Sequence, residues 1–195
     1  MIRIAVLGDI GSGKSFFAKQ LNIPLFDADN TVSNLYRNSK ILYLKLKKIF
    51  PKYISNFPVK KEDLVKIVTH NSNNLKKIIK VVHPLVRKEM NKFLKKNKNK
   101  KAVVLDIPLL LENKLNLNTD ILVFIDSSKN KMMSRLKKRK NFNLKTYKLL
   151  KSLQLSLELK KEKADFVIKN NFNSAKIKKD AKNLLNKIII WKKFY

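Results

Sequence analysis

The sequence predicts an α/β fold built on a central parallel sheet with helices packed around it. Five short apolar runs alternate with longer amphipathic stretches, the pattern of strands joined by helical crossovers. Three of those runs close on a residue suited to a strand end, at Gly8, Asp27 and Asp106. All 3 glycines of the chain, Gly8, Gly11 and Gly13, fall in one turn between the first run and the first helical stretch.

Taken in order, Ile2 to Leu7 is the first buried strand and Lys14 to Leu21 the first helix. Pro24-Leu25-Phe26 is a second strand ending at Asp27. Between about Asn30 and Asn97 several amphipathic helices follow, broken at Pro51, Pro58 and Pro84. That stretch exceeds a simple crossover and predicts an inserted helical subdomain. Ala102 to Leu105 forms the third strand, ending at Asp106, and Pro108 to Glu112 opens a short helix beside it. Asp120 to Ile125 and Phe166 to Ile168 complete the set of strands. Lys129 to Lys140, Leu144 to Lys163 and Ser174 to Ile190 read as helices, with Trp191 and Phe194 packing near the end. The expected organisation is one domain over residues 1–195: a core of about 1–29, 100–128 and 164–195, an insertion of about 30–99, and a lid of about 129–163.

Composition narrows the function classes. No apolar run is long enough to span a membrane, and the N-terminus has no basic and apolar leader pattern. Cysteine is absent, which excludes disulfides and thiolate metal sites and fits the cytoplasm. With 45 Lys+Arg against 14 Asp+Glu the formal net charge is +31. Such charge suits a nucleic-acid surface. It also arises when lysine simply fills every solvated position, and the spread of lysine along the whole chain favours that second reading.

The segment Gly8-Asp9-Ile10-Gly11-Ser12-Gly13-Lys14-Ser15 matches G-x-x-x-x-G-K-[ST] between a strand and a helix. Glycines let main-chain N–H groups turn inward around phosphate oxygens, and the following helix presents its N-terminal donors. In such a loop Lys14 reaches the terminal phosphates and the Ser15 hydroxyl ligates Mg²⁺. The expectation is therefore a kinase that moves the γ-phosphoryl of Mg-ATP onto a hydroxyl.

Carboxylates at strand ends extend the candidate site, because ligands bind there in parallel sheets. Asp29 is placed to accept a proton from an attacking hydroxyl, to hold Mg²⁺ through water, or to cap the following helix. Asp106 stands where an aspartate holds Mg²⁺, directly or through water, or caps its strand. Arg135 and Arg139, four residues apart among lysines, share a helix face that either closes on a phosphoryl group or is merely solvated. His83 before Pro84 reads on its own as an extended turn residue.

Together these blocks resemble bacterial dephospho-coenzyme A kinase from the first strand to about Asn170. The ordered set is GDIGSGKS, FDAD (Phe26 to Asp29), HPLVR (His83 to Arg87), DIPLLLE (Asp106 to Glu112), RLKKR (Arg135 to Arg139), Gln154 and ADFVIKN (Ala164 to Asn170). The resemblance implies phosphorylation of the ribose 3′-hydroxyl of dephospho-coenzyme A by Mg-ATP. It implies catalytic roles for Asp29, Lys14 and Arg139. ATP would be bound by Gly8, Gly11, Ser12, Gly13, Lys14, Ser15, Phe16, Arg135 and Asn170. The acceptor would be bound by Asp29, His83, Arg87 and Asp106, and the metal by Ser15 and Asp106. Substrates would be the only partners, with a monomeric chain and no specific nucleic acid. The alternatives are another small-metabolite kinase of shikimate or nucleotide type, and a nucleic-acid-binding ATPase. The sequence departs from the family pattern at Leu7 and Asp9, where threonine-glycine-glycine usually opens the loop, and at Phe16, Lys140 and Asn171. An acid at position 9 repels phosphates unless it points outward.

Overall fold

The computed structural model describes residues 1–140 and 142–194, with side chains described up to Trp191; Phe194, expected to pack, lies outside the described side chains. Five parallel strands form one sheet in the order β2-β3-β1-β4-β5: β1 (Ile2–Gly8), β2 (Leu25–Asp27), β3 (Ala102–Asp106), β4 (Ile121–Ser127) and β5 (Phe166–Asn170). Central strands buried on both faces require continuous apolar runs rather than alternation, which is how β1 and β3 read. Ile4 and Val6 point into a core completed by Val104, Val123, Ile125 and Phe17. That core also takes residues of α1 (Lys14–Gln20) and the long C-terminal helix α9 (Ser174–Phe194), among them Ile177, Ala181 and Ile188. Trp191 packs edge-to-face on Phe166, with ring centroids 6.1 Å apart.

The order of strands positions the site. β3 and β4, consecutive in the chain, lie on opposite sides of β1. Connections leaving β1 and β3 therefore run in opposite directions, the topology in which ligands bind at the carboxyl end of a strand such as β1. The glycine-bearing loop lies there.

Two compact units are present. The first contains the sheet and comprises residues 1–27 and 97–195; the second comprises residues 28–96. The second unit is helical: α2 (Ala28–Asn38), α3 (Lys40–Ile49), α4 (Lys61–His70) and α5 (Asn74–Lys96). Helices α2, α3 and α4 each pack on α5, burying Leu42, Leu46, Ile67, Ile78, Val82, Val86 and Met90.

Five local expectations are corrected. Pro84 does not break a helix, because α5 runs through it from Asn74 to Lys96. The buried stripe Ile78, Val82, Val86 and Met90 continues at a spacing of four across the proline, so burial outweighs the lost N–H donor and the crowding. His83 is consequently helical, not an extended turn residue. Residues 108–114 form successive turns and no regular helix. The segment 144–163 is two helices, α7 (Leu144–Ser152) and α8 (Leu157–Glu162), each started by its own cap, from Asn143 and Ser156.

The fifth concerns Arg135 and Arg139, which do not share a helix face. Helix α6 (Lys129–Lys137) stops before Arg139. Met132 and Leu136 are its buried anchors, and the next position of that stripe is Lys140, so further turns would bury nothing.

Left-handed backbone is carried by Gly11 and Gly13, and also by Asn22, Lys114 and Phe172, none of which is glycine.

Candidate active site

The loop after β1 is built by its glycines. Gly11 (φ +83°) and Gly13 (φ +92°) adopt a backbone that other residues reach only with strain. A methyl group on Gly11 would press on Leu136 at 2.9 Å, and one on Gly13 would collide with the Asn170 amide. Gly13 is the residue from which α1 starts, with no side chain covering the first turn. Such a helix start aims main-chain donors at the loop interior.

Two side chains brace the loop from behind. Asn170, buried at the end of β5, donates its amide to the Ser12 carbonyl (2.8 Å). Its own carbonyl oxygen accepts the Phe172 N–H (2.8 Å). The Ser127 hydroxyl donates to the same Ser12 carbonyl (2.9 Å). Ser12 is fully buried, and its hydroxyl has no partner among the described residues. A buried hydroxyl without a partner costs free energy, which an oxygen-rich ligand in the loop would recover.

Lys14 folds across the loop, donating to the carbonyls of Asp9 (2.7 Å) and Gly8 (3.2 Å). Its charge is thereby held over the loop mouth. Ser15 hydrogen-bonds the Asp106 carboxylate. Asp106 is 4% exposed and lies beside Asp27 in the register of β2 and β3. Burial raises its pKa above the ordinary carboxylate value, against the opposing effects of the Ser15 hydrogen bond and the Lys14 charge, while Asp27 adds a further upward push. The donor set, a hydroxyl beside a buried carboxylate, is all oxygen and suits a hard divalent cation such as Mg²⁺. These residues fit the metal that the sequence leads one to expect.

Arg135 lies with its guanidinium carbon 4.6 Å from the centroid of the Phe172 ring. That cation–π contact keeps the guanidinium beside the segment that leaves Asn170. Arg139 is exposed, with its main-chain N–H on the Leu136 carbonyl (3.0 Å). Phe16 projects from α1 and is 42% exposed.

The remaining candidates belong to the helical unit. Asp29 is in the first turn of α2, since the helix begins at Ala28, two residues earlier than a cap at Asp29 would require. His83 and Arg87 stand one turn apart on α5. Burial, with the nearby Arg87 charge in support, lowers the His83 pKa and favours the neutral imidazole.

Three ion pairs were not anticipated, all between carboxylates of the sheet unit and lysines of residues 144–163. Asp9 meets Lys151 at 2.6 Å, Glu112 meets Lys160 at 2.7 Å, and Asp126 meets Lys161 at 2.8 Å. Lys160 is 1% exposed, and Glu112 also accepts the Leu155 N–H (3.0 Å). Sequence periodicity does not reveal such pairs. The only signal was the retention of Glu112 and Asp9 in a chain poor in acids. Asp9 is not turned toward solvent; its charge is buried and matched.

A family model described as dephospho-CoA kinase matches residues 2–176. The chain belongs to the dephospho-CoA kinase family. A dephospho-CoA kinase of Wolbachia sp. subsp. Brugia malayi is 33% identical over 190 residues, covering 95% of this chain and 97% of that relative. The solved dephospho-CoA kinase from Campylobacter jejuni has 26% sequence identity and a TM-score of 0.64, with 95% of this chain and 96% of that chain covered. A shikimate kinase from Acinetobacter baumannii, at 17% identity and TM-score 0.53 over 97% of this chain and 91% of its own, shares the fold alone. Family membership decides among the readings left open by the sequence: dephospho-CoA kinase, rather than a shikimate- or nucleotide-type kinase or a nucleic-acid-binding ATPase. Among the described residues no helix is long and apolar enough to cross a membrane.

Proposed function

We propose that this chain transfers the γ-phosphoryl of ATP to the ribose 3′-hydroxyl of dephospho-coenzyme A, giving coenzyme A and ADP, as a monomer in the cytoplasm. One observation carries the reading: in a chain of this family, Lys14, Ser15 and the buried Asp106 gather at a glycine-built loop on the carboxyl end of β1. The sheet unit is then the nucleotide-binding core, residues 28–96 the acceptor-binding insertion, and residues 129–163 the lid.

The chemistry follows from positioning and charge. Loop amides and the Ser12 hydroxyl bind the donor phosphates, and Lys14 neutralises the charge that develops on them. Ser15 and Asp106 would hold Mg²⁺, which supplies further neutralisation of the transferring group when bound. Asp29 orients the acceptor hydroxyl and takes its proton late, because a carboxylate is too weak a base to ionise an alcohol beforehand. His83, neutral, and Arg87 bind the acceptor. Arg135 and Phe16 line the nucleotide side together with Asn170, whose hydrogen bonds keep the loop closed. Arg139 stabilises the phosphoryl charge and, with the lid, excludes water that would hydrolyse ATP.

A coupled assay of ADP release tests the reading, with dephospho-coenzyme A compared against shikimate, nucleoside monophosphates and DNA. Turnover with dephospho-coenzyme A alone is expected. Equal turnover with any of the others, or none with dephospho-coenzyme A, would overturn it. Light scattering of the same preparation checks the monomer.

A further inference from the structure

We propose that Lys151 is a positioning residue for the donor phosphates: by neutralising Asp9 it lets a carboxylate stand inside the phosphate loop without repelling a triphosphate. The inference rests on the reading that this loop takes ATP.

Asp9 is the second residue of the loop, and its side chain is 7% exposed. One oxygen, Oδ1, receives both the Ile10 N–H (2.7 Å) and the Lys151 ammonium (2.6 Å). The same residue sets the loop through its main chain, since the Asp9 carbonyl accepts the Lys14 ammonium (2.7 Å) and the Ser12 N–H (3.2 Å). A displaced Asp9 would therefore carry the partner of Lys14 with it. Left unpaired, a buried anion here would add its field to that of the incoming phosphates, in surroundings where charge is poorly screened. Lys151 cancels that field at its source. It comes from α7, far along the chain, and is itself partly buried, unlike the solvated lysines that dominate the sequence.

Charge compensation and simple fastening of α7 differ in what they forecast. If the pair only fastens α7, removing either partner is equally harmful. If Lys151 compensates Asp9, losing the lysine is harmful only while the acid remains. The test uses the full chain as parent, Lys151→Met, Lys151→Arg, Asp9→Asn, and the double variant Asp9→Asn with Lys151→Met. The readouts are the Kd of a fluorescent ATP analogue, the KM for ATP and kcat. Lys151→Met is expected to raise Kd and KM about tenfold or more while kcat changes less than about threefold, the split of a residue acting on donor binding. Lys151→Arg, Asp9→Asn and the double variant should stay within about threefold of the parent, so that the cycle shows strong coupling. Unchanged binding in Lys151→Met overturns the inference. So does an Asp9→Asn variant as damaged as Lys151→Met, with no recovery in the double. Circular dichroism checks folding, and Lys151→Gln replaces Lys151→Met under the same criteria if the latter does not fold. A parent chain that retains no ATP overturns the functional reading and this inference with it; ATP binding that ignores residue 151 overturns the inference alone.

Discussion

Asp29 and Asp106 share a residue type, and their neighbourhoods give them different expected behaviour. Asp29 stands in the first turn of α2, where negative charge is favoured by the helix N-terminus. In the proposed mechanism it contacts the acceptor and not the nucleotide. Asp29→Asn should therefore lower kcat by about 10²-fold or more, the scale of a lost proton acceptor, while the Kd of ATP stays nearly constant; steady-state kinetics beside nucleotide titration check this. Burial favours the protonated form of Asp106 and raises its pKa. Its folded pKa lies above the unfolded value, so the native state binds the proton more tightly and stability declines as pH rises through that window. Asp106→Asn keeps an oxygen for the Ser15 hydroxyl and removes the charge. The ligand-free variant should melt a few degrees higher than the parent at neutral pH, with the gain shrinking toward the acid range, and should lose most activity. Thermal melts across pH, paired with the ADP assay, test both halves.

At the scale of elements, the sheet was legible because buried parallel strands write themselves as short apolar runs with polar or glycine ends. Ile2 to Leu7 and Ala102 to Leu105 needed no tertiary information. The loop was legible for the same reason, since its glycines had no other use. Helix ends were less so. Proline at 84 is a local stop signal that the stripe from Ile78 to Met90 overrides, and Arg139 follows a helix that ends where apolar anchors end. The pairing of Glu112 with Lys160 joins residues distant in sequence, which no local pattern encodes. Breaking one side of such a buried pair leaves a lone charge and costs about 3–5 kcal/mol. Lys160→Met should show that loss in urea unfolding, and the added change Glu112→Leu should recover most of it.

For the whole molecule, charge is the dominant compositional fact, yet it acts through scarcity of acid more than abundance of base. With 14 acidic residues against 45 basic ones, a lysine in this chain rarely finds a carboxylate. Three carboxylates nevertheless meet lysines of residues 144–163, so this segment is tied to the rest of its own unit by the rarer charge. Sequence reading found the residues and missed the ties. The net charge of +31 itself bears on solubility and on attraction of polyanionic substrates, and is not needed to explain the fold.

The restriction of glycine to one loop has a price elsewhere in the molecule. Asn22, Lys114 and Phe172 take left-handed turns with side chains that disfavour them, by roughly 1 kcal/mol or more each. Asparagine tolerates the geometry, and Phe172 is committed to its stack with Arg135, but Lys114 has no such excuse. Lys114→Gly should relax the kink and raise the melting temperature without touching catalysis, and differential scanning calorimetry would detect the shift. A protein that hoards its most pliant residue for one task thus leaves heat tolerance within reach of a single exchange.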